Sequence, residues 1–249
     1  RNYIIKYCFG QNIRTYSVPK ISDILLRSSV ELNLFDSPLL LSRNNQGLQI
    51  EQEIMKRIID IVGSLIGIVI TIPIFLIVGI CIKMTDGGPV IYQQTRLTKN
   101  GKNFQIYKFR TMVQNAEADG KARLASEGDP RILPIGRVLR ATRLDELPQI
   151  YNILKGDMSI VGPRPERPEL AAELEKEIPE FSFRLQVKAG LTGYAQVYGK
   201  YNTTPYDKLK LDLTYIRNYS VLEDLKLIIM TPKIMLMKES TEGVKEETH

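Results

Sequence analysis

The stretch Ile58–Ile82, IIDIVGSLIGIVITIPIFLIVGICI, decides the fold of this chain. It carries one charge, Asp60, and the basic residues Lys56, Arg57 and Lys83 flank it. About 20 consecutive apolar residues can cross a bilayer as a helix, and buried core helices are rarely apolar on every side for so long. The stretch starts too deep in the chain for a cleavable signal and has no suitable cleavage site. The pattern therefore predicts a membrane-inserted helix.

This helix is predicted over residues 51–85, with a membrane kink at Pro73 near its middle. Proline removes a backbone donor and clashes with the preceding turn. A kinked helix can enter one leaflet and return. Basic residues at both ends suit that path, because positive flanks prefer the cytoplasmic side. A tilted helix that crosses the bilayer is the alternative, and the sequence leaves it open.

The composition indicates anionic partners and argues against histidine chemistry. The formal net charge is +6 and the pI is about 9.2, which favours phosphates, nucleotides, nucleic acid or anionic lipid as partners. The only histidine is His249, so a triad built on histidine, or a zinc site of histidine and cysteine, is nearly excluded. Two cysteines, Cys8 and Cys81, provide no disulfide framework and suggest a reducing compartment.

Residues 1–50, which precede the apolar stretch, are predicted to be too short for a core of their own. We expect a short strand over residues 1–10, a helical turn over 21–26 and a loop over 33–49. This segment is interpreted either as the remnant of an upstream regulatory module or as a segment packed on the main domain.

Residues 86–238 are predicted to form a mostly helical α+β catalytic domain with a small β-hairpin. Two β-like runs flank Asn100-Gly101, a strong hairpin signal. Helical periodicity covers 131–158. The remaining predictions are a polar helix and loop at 115–129, helices at 169–181, 205–220 and 224–238, a glycine-bearing turn into a strand at 188–200, and a disordered tail at 239–249.

The stretch RLDELPQ, residues 143–149, places two carboxylates, Asp145 and Glu146, side by side. Such a pair before an apolar helix usually caps the helix N-terminus. Arg140 and Arg143 also crowd it, and we expect them to share a helix face and keep both acids ionised. Carboxylates that hold a metal beside arginines that hold oxygens suit a magnesium-bound diphosphate. An ionised aspartate can also attack phosphorus and form an acyl phosphate.

Two further groups of residues are candidates for phosphate binding. Lys108 and Arg110 alternate with aromatic residues, so we expect them to share one face. In GPRP, residues 162–165, Pro163 and Pro165 hold Arg164 on a stiff, extended backbone, which suits a phosphate clamp. The alternatives are a solvated hairpin face and a rigid turn with an exposed arginine.

Four motifs occur in order after the membrane segment: KFRTM at 108–112, RLDELPQIYNILKGDMSIVGPRP at 143–165, GLTGYAQVYGK at 190–200 and LDLTYIRNYSVLEDLKLI at 211–228. Together they make the chain resemble the bacterial sugar transferase family, the monotopic polyprenyl-phosphate phosphoglycosyl transferases. The resemblance covers about residues 56–237. The segment before the membrane helix resembles the end of the regulatory module of the longer members.

The resemblance implies transfer of a phosphosugar from a UDP-sugar to undecaprenyl phosphate, with Mg²⁺ as cofactor and release of UMP. This reaction is the first membrane step of capsule, exopolysaccharide or other glycan assembly. By resemblance, Asp145 is the nucleophile that forms a covalent intermediate, Glu146 assists with the metal and the lipid phosphate, and Asp145 and Glu146 form the metal site. Arg140 and the loop of Pro163, Arg164 and Pro165 belong to the phosphate and uridine site.

The resemblance also implies a re-entrant helix in the bacterial inner (plasma) membrane, with the catalytic domain on the cytoplasmic face. Membrane lipid is then a partner, nucleic acid is not, and a homo-oligomer stays open. The chain departs from the family in two places: Ile72-Pro73 stands where Ser-Pro is common, with Thr71 before it, and Arg143 stands where serine is frequent. Two rival hypotheses are a membrane-bound hydrolase of nucleotide diphosphate-sugars and a non-catalytic scaffold that binds anionic lipid.

Overall fold

The computed structural model describes residues 2–11, 13, 18–26, 30–34, 37–41, 50–114, 116, 129–200 and 202–235. The chain divides into two compact units, residues 1–44 and 45–249. The described part is mostly helical with small sheets and one long apolar helix, which confirms the predicted α+β class with a membrane helix. Most of residues 115–129 and all of 239–249 lie outside the described residues, so the predictions for those segments stay predictions.

The first unit corrects two predictions. Asn2–Gly10 forms helix α1, where the sequence predicted a strand; a strand needs a partner for its backbone groups, whereas a helix satisfies its own. The predicted helical turn is confirmed as α2 (Ile21–Leu26). The predicted loop contains an antiparallel hairpin of β1 (Val30–Leu34) and β2 (Ser37–Leu41). Pro38 lies in β2, which a two-stranded sheet tolerates because both of its strands are edges.

The second unit is organised around α3 (Ile50–Asp86) and a hairpin of β3 (Ile91–Leu97) and β4 (Asn103–Phe109). Short 3₁₀ turns lie at Lys99–Gly101, Leu144–Glu146 and Pro179–Gln186. The other elements are α4 (Pro134–Ala141), α5 (Gln149–Lys155), β5 (Ser159–Val161), α6 (Pro168–Glu177), β6 (Gly190–Thr192), α7 (Tyr194–Tyr198), α8 (Pro205–Arg217) and α9 (Val221–Met235).

Helix α3 buries several polar side chains and leaves many of its apolar side chains exposed. Within the described residues it is the one helix long and apolar enough to cross a membrane, and 17% of its most apolar window is buried. Its buried side chains include Lys56, Asp60 and Ser64. This arrangement fits a membrane-associated protein, because a lipid solvent favours apolar side chains on the outside. Exposed apolar side chains run along the helix: Ile58, Val62, Leu65, Ile66, Val69, Ile70, Ile72, Leu76, Ile77 and Ile80.

Pro73 lies inside α3, which continues on both sides of it. The Thr71 hydroxyl donates to the Gly67 carbonyl at 2.7 Å, which supplies a side-chain bond to the backbone just before the proline. The kink and the re-entrant path through the membrane stay predictions.

The β3–β4 hairpin confirms the predicted turn. Asn100 and Gly101 have φ angles of 60° and 70°, the left-handed region that asparagine and glycine tolerate best. Strand β4 contributes to two parts of the core. Phe104 and Ile106 pack with α5 and Ala189, and Phe109 packs against α3 and α4. The hairpin therefore connects the membrane helix to the segment that carries the acid pair.

The helical pattern over 131–158 is interrupted where the sequence predicted continuity. Helix α4 ends at Ala141, Arg143 adopts a left-handed conformation with φ 59°, and α5 begins only at Gln149. The prediction that Arg140 and Arg143 share one helix face is therefore wrong, because Arg143 lies outside the helix. Pro148, which has no N–H, precedes α5, so the intervening residues form a 3₁₀ turn instead of a continuous helix.

The glycine-bearing segment is a strand followed by a helix, not a turn into a strand. Strand β6 pairs in parallel with β5, and Gly193 leads into α7. The backbone of β6 approaches the residue after β5 closely: a Cβ added to Gly190 would lie 2.0 Å from the Gly162 nitrogen. The Gly162 nitrogen donates to the Thr192 carbonyl at 2.8 Å. Glycine is therefore required where the GPRP loop leaves β5.

The last helices follow the sequence prediction. Helix α6 ends at Glu177, just before Pro179, and α8 begins with a Thr204 cap that accepts from the Asp207 N–H. Pro232 lies inside α9. Helix α9 packs on β5 and β6, and the Tyr215 hydroxyl of α8 donates to the Val161 carbonyl of β5 at 3.2 Å.

Candidate active site

The acid pair lies in a tight turn and does not cap a helix. Asp145 and Glu146 belong to the 3₁₀ turn Leu144–Glu146, and the residue before α5 is Pro148. No carboxylate bonds to the first N–H groups of α5, so the capping interpretation is wrong. The turn directs both acids toward β4 and the GPRP loop, because Lys108 and Arg164 both contact Glu146.

Glu146 is buried and bound by two cations. Lys108 Nζ donates to its Oε1 at 2.7 Å. Arg164 Nη2 donates to the same oxygen at 2.6 Å, and Arg164 Nη1 lies 3.4 Å from Oε2. Burial opposes ionisation, but the charges of Arg164 and Lys108 outweigh it and lower the pKa of Glu146 below its ordinary value. Glu146 is therefore an ionised residue that fixes both cations in place.

Asp145 differs from its neighbour because its carboxylate has no hydrogen-bond donor within the described part of the chain. It is half-buried beside the charged cluster. Burial raises the pKa of Asp145, Lys108 opposes this increase, and the negative charge of Glu146 adds to it. An acid without a donor that lies near three cations is available to a metal ion or to an electrophilic phosphorus.

Arg140 reaches the same region from α4. Its Nε donates to the Thr111 hydroxyl at 2.9 Å, and its two terminal nitrogens have no hydrogen-bond partner in the described structure. Its charge lowers the pKa of Asp145, which indicates that the two groups are close. Arg140 therefore has donors available for phosphate oxygens.

Arg110 does not join this cluster, which contradicts the prediction that it binds phosphate with Lys108. Its two terminal nitrogens bond to the carboxylate of Asp86 at the end of α3, and its Nε donates to the Pro89 carbonyl at 2.6 Å. The side chain is 5% exposed. Arg110 follows the last residue of β4, where the chain turns back toward α3, so its donors are used to fix the start of the hairpin.

The GPRP loop brings Arg164 to Glu146, and its predicted role as a phosphate clamp stays a prediction. Pro163 and Pro165 are buried, whereas the Arg164 side chain is 40% exposed. The charge of Glu146 raises the pKa of Arg164 further above its ordinary value, so the guanidinium stays charged. A cavity of about 190 Å³ lies beside this loop and is lined by the loop itself, α6 and the 3₁₀ turn at Pro179–Gln186.

Sequence reasoning did not identify the residues that donate hydrogen bonds to the backbone of the GPRP loop. Arg184 donates to the Arg164 carbonyl at 3.0 Å, and Arg96 donates to the Pro165 carbonyl at 3.2 Å. Asp212 on α8 binds Arg184. The one sequence signal was Asp212, an acid on the apolar face of the amphipathic helix α8. That signal does not identify the residue that Asp212 contacts.

The acid pair suits a metal that also binds the substrate. The described residues contain no group of three or more His, Cys, Asp or Glu side chains that could hold a metal ion. Asp145 offers a carboxylate without a protein donor, whereas Glu146 already accepts from two cations. Mg²⁺ commonly binds through one or two carboxylates plus substrate phosphates. Among the described residues, Asp145 is therefore the carboxylate of the pair whose oxygens are available to a metal ion, and Mg²⁺ stays a prediction.

A membrane-type helix beside an acid pair surrounded by cations defines a membrane-associated protein that handles phosphate groups. Residues 51–238, more than half of the chain, match the family of bacterial sugar transferases. The chain belongs to this family, which confirms the resemblance seen in its motifs.

Three relatives to which the chain is similar have undecaprenyl phosphate in their names. The chain is 40% identical over 185 residues to UDP-N-acetylgalactosamine-undecaprenyl-phosphate N-acetylgalactosaminephosphotransferase of Aeromonas hydrophila, covering 73% of this chain and 44% of the relative. It is 36% identical over 239 residues to undecaprenyl-phosphate galactose phosphotransferase of Salmonella typhimurium, covering 89% and 49%. The chain spans about half the length of these two relatives.

A third relative is UDP-glucose:undecaprenyl-phosphate glucose-1-phosphate transferase of Caulobacter vibrioides, 36% identical over 193 residues that cover 76% of this chain and 72% of the relative. The three names contain three different sugars. Similarity to these relatives therefore does not identify the sugar.

Proposed function

We propose that this chain transfers a phosphosugar from a UDP-sugar to undecaprenyl phosphate. The observation that carries the proposal is the division of labour in the acid pair. Glu146 is bound by Lys108 and Arg164, while Asp145 has no donor in the described structure and lies within reach of their charge. This arrangement supports a nucleophilic carboxylate in a site built for phosphate oxygens.

In the first step, an oxygen of Asp145 attacks the sugar-bearing phosphorus of the UDP-sugar. The bond between that phosphorus and the bridging oxygen breaks, UMP leaves with the bridging oxygen, and an aspartyl-phosphosugar forms. In the second step, an oxygen of undecaprenyl phosphate attacks the same phosphorus, and the Asp145 carboxylate is released. Asp145 needs no base, because a carboxylate is ionised near neutral pH even when its pKa is moderately raised.

Arg140, Lys108 and Arg164 bind the phosphate oxygens of the donor in this proposal. The available terminal nitrogens of Arg140 and the 40% exposed side chain of Arg164 support their part. Bound Mg²⁺ would be held by Asp145 and Glu146 and would neutralise charge on the diphosphate.

The second substrate is a membrane lipid, so the site must lie at the membrane surface. The outward apolar face of α3 supports insertion into a bacterial inner membrane, with the catalytic domain on the cytoplasmic side as the basic flanks of α3 suggest. Such a reaction would begin the membrane stage of capsule or exopolysaccharide assembly.

The experiment measures UMP release by the protein in lipid nanodiscs with Mg²⁺ and a panel of UDP-glucose, UDP-galactose and UDP-N-acetylgalactosamine. With undecaprenyl phosphate present, we expect sustained release with one sugar. Without it, we expect one UMP per protein and a covalent phosphosugar on Asp145 detected by mass spectrometry. Sustained release without lipid would indicate a hydrolase instead, and no release with any sugar would overturn the proposed transfer for this chain.

A further inference from the structure

The loop that carries Arg164 is held at each of four consecutive backbone carbonyl groups. The carbonyl of Pro163 accepts from the Gly190 nitrogen at 2.9 Å, and that of Glu166 accepts from the Leu97 nitrogen at 3.0 Å. The two carbonyls between them accept from side chains instead: Arg184 Nη2 donates to Arg164 at 3.0 Å and Arg96 Nη1 donates to Pro165 at 3.2 Å.

Arg184 is itself fixed on three sides. Its Nε and Nη2 bond to Asp212 Oδ2 at 3.0 and 2.7 Å, its Nη1 lies 3.6 Å from Glu166 Oε1, and its guanidinium lies 4.9 Å from the centroid of the Phe181 ring. The Arg184 and Asp212 side chains are 6% and 1% exposed. A buried ion pair of this kind costs much of its attraction in desolvation, so stability alone is weak grounds for its presence.

A series of hydrogen bonds connects the ion pair of Arg184 and Asp212 to the acid pair. Asp212 binds Arg184, Arg184 holds the carbonyl of Arg164, and Arg164 Nη2 donates to Glu146 Oε1 at 2.6 Å. Pro165 restricts the backbone of the residue before it, and the bond to Arg184 fixes the direction of the Arg164 carbonyl. Together they determine where the Arg164 side chain starts.

We propose that Arg184 and Asp212 are positioning residues that act through Arg164 to set its guanidinium on Glu146 and on the donor phosphates. The part that concerns the donor rests on the proposed function, while the part that concerns Glu146 does not. Loss of the Arg184 and Asp212 contacts should leave Asp145 able to react but displace the Arg164 guanidinium.

The kinetic test uses Arg184→Lys and Asp212→Asn in the full chain, each in the unmodified background and with Arg164→Ala. Partners behind a reactive group typically change activity by about 10- to 100-fold when altered. We expect such a fall in kcat/KM for the UDP-sugar in the unmodified background, and less than about a twofold further fall with Arg164→Ala, because coupled residues are not additive. Equal losses in both backgrounds would mean that Arg184 does not act through Arg164.

The chain offers a matched control in Arg131 and Asp129. Arg131 also binds an aspartate through Nε and Nη2 and donates to a backbone carbonyl, that of Ala116, at 3.0 Å. Arg131→Lys, which keeps the charge at a partly exposed position, should leave kcat/KM within about twofold. A loss equal to that of the Arg184 and Asp212 variants would attribute their effect to general loosening of the fold.

A structural measurement tests the inference without any turnover. In an experimental structure of Arg184→Lys or Asp212→Asn, the 2.6 Å contact between Arg164 and Glu146 should be lost. Asp212→Asn preserves shape and is the second choice if Arg184→Lys does not fold, as judged by thermal unfolding. An unchanged contact would overturn the positioning role even if the protein is an active transferase, whereas absence of UMP release would overturn the proposed function alone.

Discussion

Lys56 on α3 and Lys108 on β4 each bind a buried carboxylate, and the clusters around them differ in whether every acid finds a partner. Lys56 bonds to Asp224, to the Tyr215 hydroxyl at 3.2 Å and to the Val161 carbonyl at 3.0 Å. The Tyr215 hydroxyl in turn donates to Asp224 at 2.7 Å. Lys56 and Asp224 each have more than one partner. Together these contacts connect α3 to α8, α9 and β5.

The cluster around Lys108 is uneven. Glu146 accepts hydrogen bonds from Lys108 and Arg164, whereas Asp145 accepts none in the described structure. Burial raises the pKa of Asp224 as well as that of Asp145, so the two clusters differ in the hydrogen-bond donors that each acid receives and not in the direction of the pKa shift. The comparison shows that similar residues stabilise the fold in one place and retain a reactive group in the other.

The largest effect is expected for Asp145→Asn, which removes the proposed nucleophile. We expect UMP release to fall by at least about a thousandfold, while the unfolding temperature stays the same or rises, because an unfavourable buried charge has been removed. Asp207→Asn, on the exposed start of α8, is the control and should retain activity. A loss of stability together with activity would show that Asp145 supports the fold instead.

A large effect on stability is expected for Asp224→Asn. The change leaves Lys56 buried with a weaker partner, and breaking a buried ion pair typically costs about 3–5 kcal/mol. Denaturant unfolding in detergent measures it. The control is Glu53→Gln, which breaks the exposed pair of α3 with Lys99 at 3.0 Å and should cost less than about 1 kcal/mol. Equal losses would contradict the structural role assigned to the Lys56 cluster.

Arg164 and Arg110 allow a matched comparison of two arginines that each bind a carboxylate. Arg164→Ala should weaken UDP-sugar binding by about tenfold or more, since a hydrogen bond to a charged group contributes about 1.5–3 kcal/mol. Arg110→Ala should leave the affinity within about twofold and lower the unfolding temperature, because the donors of Arg110 are used by Asp86 and Pro89. Isothermal titration calorimetry separates the two, and unchanged affinity for Arg164→Ala would exclude its role.

The smallest effect is a shift in the pH dependence. The raised pKa of Asp145 means that activity should fall as pH decreases through a value above the usual range for aspartate. Lys108 opposes that increase, so Lys108→Met should move the acidic limb of kcat/KM to higher pH. Lys102→Met, on the exposed end of the same hairpin, should leave the limb in place. A shift to lower pH in Lys108→Met would contradict the assignment of the limb to Asp145.

The sequence predicted local features well where one pattern dominated. The apolar run gave α3, Asn100-Gly101 gave the hairpin turn, and the two prolines around Arg164 gave the loop. The predictions failed where neighbouring contacts decide. Residues 1–10 contain apolar residues that suit either a strand or a helix, and their periodicity did not distinguish the two. Arg143 adopts a left-handed conformation and ends the helical pattern, and no glycine in the sequence indicated this break.

By itself, the sequence determined the chemical groups of this protein: a long apolar segment, no histidine outside the last position, and an acid pair among basic residues. These follow from composition and spacing, which act locally. Only the tertiary structure decided that Arg110 binds Asp86 while Lys108 binds Glu146, and that Arg184 and Asp212 lie behind the GPRP loop. A charged side chain takes the partner that the packing brings within about 3 Å, and no pattern in a single sequence encodes that distance.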